Sequence, residues 1–110
     1  MEWLTKLEEL VLIAVLRLKN NAYGISIYDF IVNITGKEVS VSSVYFPLER
    51  LARKGYLQTL QGEPTPTRGG MSKRYYRLTR AGIRALKENR SFNQTIWKGV
   101  AELLGNTTGI

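Results

Sequence analysis

Apolar residues recur at a helical period in four stretches of the chain, and a shorter alternating pattern separates the third from the fourth. In the first stretch Leu7, Leu10, Val11, Ala14, Val15 and Leu18 form one stripe. Leu12, Ile13 and Leu16 widen it, which predicts a helix to about Leu18 that is buried on two sides. Thr5-Lys6-Leu7-Glu8 has the form of a capping box, with Thr5 as cap and Glu8 reaching back to it. Trp3 and Leu4, before the cap, are further apolar groups that need cover. Asn20-Asn21 makes a turn, and Gly24 to Thr35 reads as a second helix with Ile27, Phe30, Ile31 and Ile34 inward and Gly36 as its stop. A very short connection follows, Lys37 to Ser40, in which Val39 is expected to form a single residue pair of sheet.

The third stretch buries Val44, Leu48 and Leu51, with Tyr45 and Ala52 flanking them. Ser42, Ser43, Phe46, Arg50, Arg53 and Lys54 lie on or near the opposite face. Ser40, Ser42 and Ser43 offer capping oxygens, and Gly55 fits the left-handed position that ends such a helix. Pro47 lacks the N–H that would make the first helical bond if Ser43 were the cap. Two readings stay open: an irregular first turn that leaves the serines' backbone groups facing a phosphate, or a plain helix-start proline. Two helices joined this tightly have the geometry of a helix-turn-helix.

Leu57 to Leu60 and Arg74 to Leu78 read as the strands of a hairpin, with Tyr76 and Leu78 toward the helices and Lys73, Tyr75 and Arg77 outward. The connection from Gln61 to Ser72 is long, and Pro64, Pro66 and Gly69-Gly70 predict a mobile tip. Thr79 caps the last helix, in which Ile83 and Leu86 point inward. Apolar spacing resumes at Phe92, Ile96, Trp97, Val100, Leu103 and Leu104, and Gly105 ends it. Ser91 and Asn93 soften its middle, so two shorter helices compete with one long one; the spacing favours one. Asn106 to Ile110 is expected to fray. The reading is a mainly α chain with a small β-hairpin. Residues 1–90 make a winged helix-turn-helix domain, and 91–110 continue its C-terminal dimerisation helix.

Charge sharpens this picture. The chain of 110 residues carries a net charge of +7, distributed unevenly. Residues 1–38 hold four Lys/Arg against five Asp/Glu, residues 39–90 eleven against three, and residues 91–110 one against one. Positive charge confined to the helix-plus-hairpin half points to a polyanionic partner there. With neither cysteine nor histidine, thiolate and imidazole chemistry and the commonest zinc ligands are excluded. The carboxylates form no convincing catalytic pair, and no glycine-rich loop precedes a Lys-Ser/Thr. No enzyme activity, cofactor or metal is therefore expected. Leu10 to Leu16 falls far short of the roughly 20 apolar residues of a membrane span. Glu2, Glu8 and Glu9 have the wrong sign for a signal peptide, so a cytoplasmic location is expected.

The segments YGISIYDFI, VSVSSVYFPLERLARKGYL and RGGMSKRYYRLTRAGIRAL resemble the PadR family of transcriptional regulators, over about Leu7 to Arg90. A pattern S-V-Y-x-x-L-x-R-L is met by Ser43, Val44, Tyr45, Leu48, Arg50 and Leu51. The segments G-Y-L, K-R-Y-Y and L-T-x-A-G are met at Gly55 to Leu57, Lys73 to Tyr76 and Leu78 to Gly82. Ala52 stands where the family commonly has an acidic residue, and Met71 where a basic residue often follows the paired glycines. The resemblance implies a homodimeric winged-helix repressor whose first and last helices form the dimer interface.

On this reading Ser42, Ser43, Tyr45, Phe46, Arg50, Arg68, Lys73, Arg74 and Tyr75 contact double-stranded DNA. Phe46 meets a thymine methyl, and Arg50 reaches guanine or a phosphate. Trp3, Leu4, Phe92, Ile96, Trp97, Val100 and Leu104 form the dimer interface, where Phe92 and Trp97 would frame a cleft for a planar aromatic effector. The alternative is an effector- or protein-binding homodimer in which DNA contact is secondary. RNA binding is disfavoured, because Tyr75-Tyr76 lacks the aromatic sheet pattern of a stacking platform.

Overall fold

The structure, a computed structural model, describes residues 3–62 and 73–105. Helix α1 (Lys6–Leu18) starts where the capping box predicts: the Glu8 N–H donates to Thr5 Oγ1 (3.1 Å), and the Thr5 N–H donates to Glu8 Oε1 (2.9 Å). A 3-10 turn (Lys19–Asn21) leads to α2 (Gly24–Thr35), and α3 (Val41–Arg53) follows. Strands β1 (Leu57–Gln61) and β2 (Arg74–Leu78) pair antiparallel, in a register that sets Leu57 opposite Leu78 and Gln61 opposite Arg74. Helices α4 (Arg80–Trp97) and α5 (Val100–Gly105) complete the described chain. The hairpin tip and the frayed tail expected from the sequence lie outside the described residues.

The core is where the apolar periodicity puts it. Val11, Leu12, Ala14 and Val15 of α1, Ile27 and Ile31 of α2, and Val44, Leu48 and Leu51 of α3 are buried, with Leu57 and Tyr76 closing the hairpin side. Helix α1 is the central element, packing on α2, α3, β2 and α4. The two-sided burial read from Leu12, Ile13 and Leu16 is thus explained for Leu12 and in part for Ile13. Leu16 is exposed. Gly82 permits the close joint between the hairpin and α4. A side chain there would collide with the backbone carbonyl of Tyr56, which already accepts the Thr79 N–H at 3.1 Å. Thr79 caps α4 as predicted, accepting from the Gly82 N–H at 3.1 Å.

Five expectations are corrected. Ile83 of α4 is 40 % exposed and not inward. Ile34 is not inward but 57 % exposed, standing one residue before α2 ends at Thr35. Among the described residues the one sheet-like pair outside the hairpin joins Tyr23 to Tyr75 and does not involve Val39. Val39 instead gives its carbonyl to the Tyr28 hydroxyl (2.7 Å), which ties α2 to the start of α3. The last helix is two helices, and the break is not at Ser91–Asn93. Gly99, at φ +80°, takes a conformation that L side chains rarely adopt, and it turns the chain between Trp97 and Val100. Pro47 fits neither open reading. Ser40 is the cap, its Oγ accepting the Ser43 N–H at 3.2 Å, so Pro47 is buried well inside α3 and cannot donate to the Ser43 carbonyl.

Helix α4 carries the chain past the winged unit. The radius of gyration is 17.0 Å and the extents are 59 × 29 × 20 Å, against the ~13 Å expected for a compact domain of this length.

Candidate nucleic-acid interface

At 100° per residue, the buried row of α3 (Val44, Pro47, Leu48, Leu51) lies opposite Ser42, Phe46, Glu49 and Arg53. These four side chains are exposed, Phe46 at 66 %. An exposed phenyl ring on a helix whose opposite face is fully packed has no role in holding the fold together. The helix start is a serine cluster: Ser40 Oγ lies 3.2 Å from Ser42 Oγ and 2.6 Å from Ser43 Oγ. Ser42 is open to solvent and Ser43 is half-buried.

Tyr45 and the hairpin form the second part. The Tyr45 ring lies over Gly24, at the start of α2, in the space that any side chain at position 24 would fill. Beside it is a cleft of about 350 Å³ lined by Tyr23, Tyr45, Glu49, Lys73, Arg74 and Tyr76. Tyr75 stacks on Tyr23 (centroids 5.6 Å apart), and Lys73 Nζ sits 4.0 Å above the Tyr23 ring, a cation–π contact that fixes the ammonium at the start of β2. The Tyr76 N–H donates to the Ala22 carbonyl at 2.8 Å, which locks β2 to the start of α2. Arg74 shares its strand face with Tyr76 and turns toward α3.

Of the residues singled out in the sequence, Ser42, Ser43, Tyr45, Phe46, Lys73, Arg74 and Tyr75 lie on the α3 surface and at the start of β2 beside it. Arg68 lies outside the described residues. Arg50 is placed elsewhere: its Nε donates to Glu8 Oε2 at 3.0 Å, beside Lys54 Nζ at 3.3 Å from the same oxygen. Its helical position turns it toward α1, off the outermost stripe of α3, with its side chain 41 % exposed. Sequence reasoning missed Tyr23, Gly24 and Glu49. The signal for Glu49 was available, because it sits three residues from Phe46 and four from Arg53 on one helix face.

The candidate interface residues are divided. Trp3 stacks against Phe92 of the same chain, with centroids 5.0 Å apart, and Leu4 packs on the core. Trp97 lines an apolar groove of about 540 Å³ between α1 and α4, with Ile13, Leu16 and Leu86. Phe92 does not line it, and packs instead against Trp3. Ile96, Trp97, Leu103 and Leu104 are all exposed, and Val100 is half-buried.

A three-helix unit with a tight α2–α3 link, a hairpin beside α3 and aromatic and cationic groups along both defines a winged helix-turn-helix protein of the DNA-binding class. The Transcriptional regulator PadR-like family matches residues 12–88, and the chain belongs to that family, one of transcriptional regulators and not of enzymes. Solved structures agree on the fold. A PadR family transcriptional regulator from Eggerthella lenta is 26 % identical, with a TM-score of 0.67 over 86 % of this chain and 80 % of that one. A PadR family transcription regulator from Clostridium difficile is 19 % identical, with a TM-score of 0.68 over 96 % and 100 %. A PadR-like transcriptional regulator from Bacillus cereus is 20 % identical, with a TM-score of 0.68 over 94 % and 92 %. No protein of curated function matches the chain. Among the described residues no helix is long and apolar enough to cross a membrane.

Proposed function

We propose that the chain is a homodimeric, sequence-specific repressor that binds a roughly palindromic operator in double-stranded DNA. The observation that carries the reading is the exposed face of α3. Ser42, Phe46 and Arg53 stand clear of a helix whose opposite face is fully packed, and Tyr45, Lys73 and Arg74 flank them. The α3 stripe suits the major groove, with Phe46 against a thymine methyl. Lys73, Arg74 and the Tyr45 and Tyr75 hydroxyls suit backbone phosphates beside it.

Dimerisation is supported by the α4 and α5 surface that one chain leaves open. Ile96, Trp97, Leu103 and Leu104 are exposed, Trp97 also lines the α1–α4 groove, and a symmetry mate would cover them. The sign of regulation rests on the family resemblance. The Trp97 groove is the place where a planar aromatic effector would bind between the protomers and release the operator.

The test is a titration of genomic duplexes against the protein by fluorescence anisotropy at several salt concentrations. Affinity should fall steeply with salt as Lys and Arg contacts displace counterions. Lys73→Ala should weaken binding to all sequences alike. Binding that is absent, or insensitive to salt, overturns the reading. A ligand-binding dimer with secondary DNA contact would show only weak, sequence-independent affinity.

A further inference from the structure

Gly24 opens α2, yet nothing in its backbone calls for glycine. Among the described residues the glycines in the left-handed region are Gly36, Gly55 and Gly99. Gly24 lies outside that region, so alanine could adopt its conformation. At a helical position alanine is also the more stable choice, because it loses less backbone freedom on folding. What position 24 lacks is room. A Cβ there would stand 2.7 Å from Cζ and 2.8 Å from Cε1 of Tyr45, and closer still to the hydroxyl.

The obstructing atoms are the outer end of one side chain. Tyr45 is 39 % exposed, and among the described residues its hydroxyl has no hydrogen-bond partner. The ring can therefore swing outward at small cost to the fold, but it would leave the place it now holds. That place is a junction. The Tyr76 N–H donates to the Ala22 carbonyl at 2.8 Å, and Lys73 Nζ lies 4.0 Å from the Tyr23 ring, so β2 is anchored to the two residues before Gly24. Tyr45 reaches the same point from α3, and Gly24, Tyr45, Lys73 and Arg74 line one cleft. A directional O–H donor beside an ammonium and a guanidinium suits a phosphate: the cations neutralise its charge and the hydroxyl fixes its place.

We propose that Gly24 is a positioning residue for DNA binding: the side chain it lacks keeps the Tyr45 ring seated over the start of α2, where the hydroxyl donates to a backbone phosphate shared with Lys73 and Arg74. The inference rests on the DNA reading above. Gly24 acts through the ring and not by a contact of its own.

The experiment measures binding of a duplex recovered from genomic DNA, and of a scrambled duplex of equal length, across a range of salt, beside a thermal melt of each chain. Gly24→Ala should melt no lower than wild type while its affinity for both duplexes falls about ten-fold, the worth of a hydrogen bond to a charged oxygen. Because the tyrosine is uncharged, the slope of log K against log salt should not change. Tyr45→Phe, which removes the hydroxyl alone, should lose the same ten-fold. The two changes together should lose no more than either one, since alanine then displaces a ring that has nothing to donate. Losses that multiply in the double variant would show the glycine acting elsewhere and overturn the proposal. So would wild-type affinity in Gly24→Ala, or a slope shallower by about 1, which means that a cation and not the hydroxyl has moved. A Tm clearly lowered by Gly24→Ala also overturns it, because the ring then cannot give way and the glycine serves packing alone. If the wild type binds no duplex in a salt-dependent way, the DNA reading fails and takes this one with it. Salt-dependent wild-type binding that Tyr45→Phe leaves unchanged defeats this proposal alone.

Discussion

Trp97→Ala tests the dimer from the surface that one chain leaves open. The side chain is 56 % exposed, and a tryptophan presents up to about 250 Å², so roughly 140 Å² awaits cover. At about 25 cal/mol per Å² its burial would be worth about 3.5 kcal/mol. In a two-fold interface the residue counts twice, or roughly 6 kcal/mol after allowing for what alanine retains. Association never realises the full area value, because side chains must also be ordered. Taking half leaves about 3 kcal/mol, or roughly two orders of magnitude in the dimer Kd. Sedimentation equilibrium measures this directly, with circular dichroism to show that the winged unit, which closes before Trp97, is intact. A Trp97→Ala Kd within two-fold of wild type would refute the reasoning. So would a wild-type species of 12.5 kDa at micromolar concentration.

Three further outcomes follow. Gly82→Ala should lower Tm by roughly 10 °C, since a clash with the Tyr56 carbonyl costs about 2 kcal/mol or more beyond the helix-propensity gain; an equal or higher Tm means the joint has room. Glu8 is held below its ordinary 4.5 although burial opposes this, because the Thr5 N–H, Arg50 and Lys54 together outweigh it. Its contribution to stability is therefore complete above pH 4.5 and declines as pH falls through the lowered value. Chemical denaturation as a function of pH should show Glu8→Gln with a shallower acid loss, and identical slopes below pH 4.5 would count against it. Phe46→Ala should leave Tm nearly unchanged, as befits an exposed residue, yet abolish the penalty of about 1 kcal/mol that the wild type suffers when one operator thymine is replaced by deoxyuridine; an equal penalty in both proteins removes Phe46 from base readout.

What the sequence made legible was local. The Thr5–Glu8 box, the Thr79 cap, the buried rows of α1 and α3 and the strand alternation at Tyr76 each depend on residues within a turn or a few positions of one another. What stayed hidden required distant partners. Arg50 looks like a free cation on the outer half of α3 until α1 is packed beside it. The clue was Glu8 itself, which stands at helical spacing from Leu12 and Val15 on a face that must be buried, where a carboxylate needs cations. Tyr23 gave no signal of its own, because its stack with Tyr75 and its contact with Lys73 exist only once β2 lies against the start of α2. The helix break was misplaced because Ser91 and Asn93 are merely weak helix formers, whereas Gly99 adopts a backbone angle that stops the helix.

In the proposed complex, α3 and the hairpin of two copies read one operator. Selection of bound fragments from genomic DNA, followed by footprinting of the protein on the recovered duplexes, tests it most directly. Two protected half-sites related by a two-fold axis are expected, with centres one helical turn or a multiple apart, about 10 base pairs per turn. No enriched fragment, or protection of a single unpaired half-site, would contradict it.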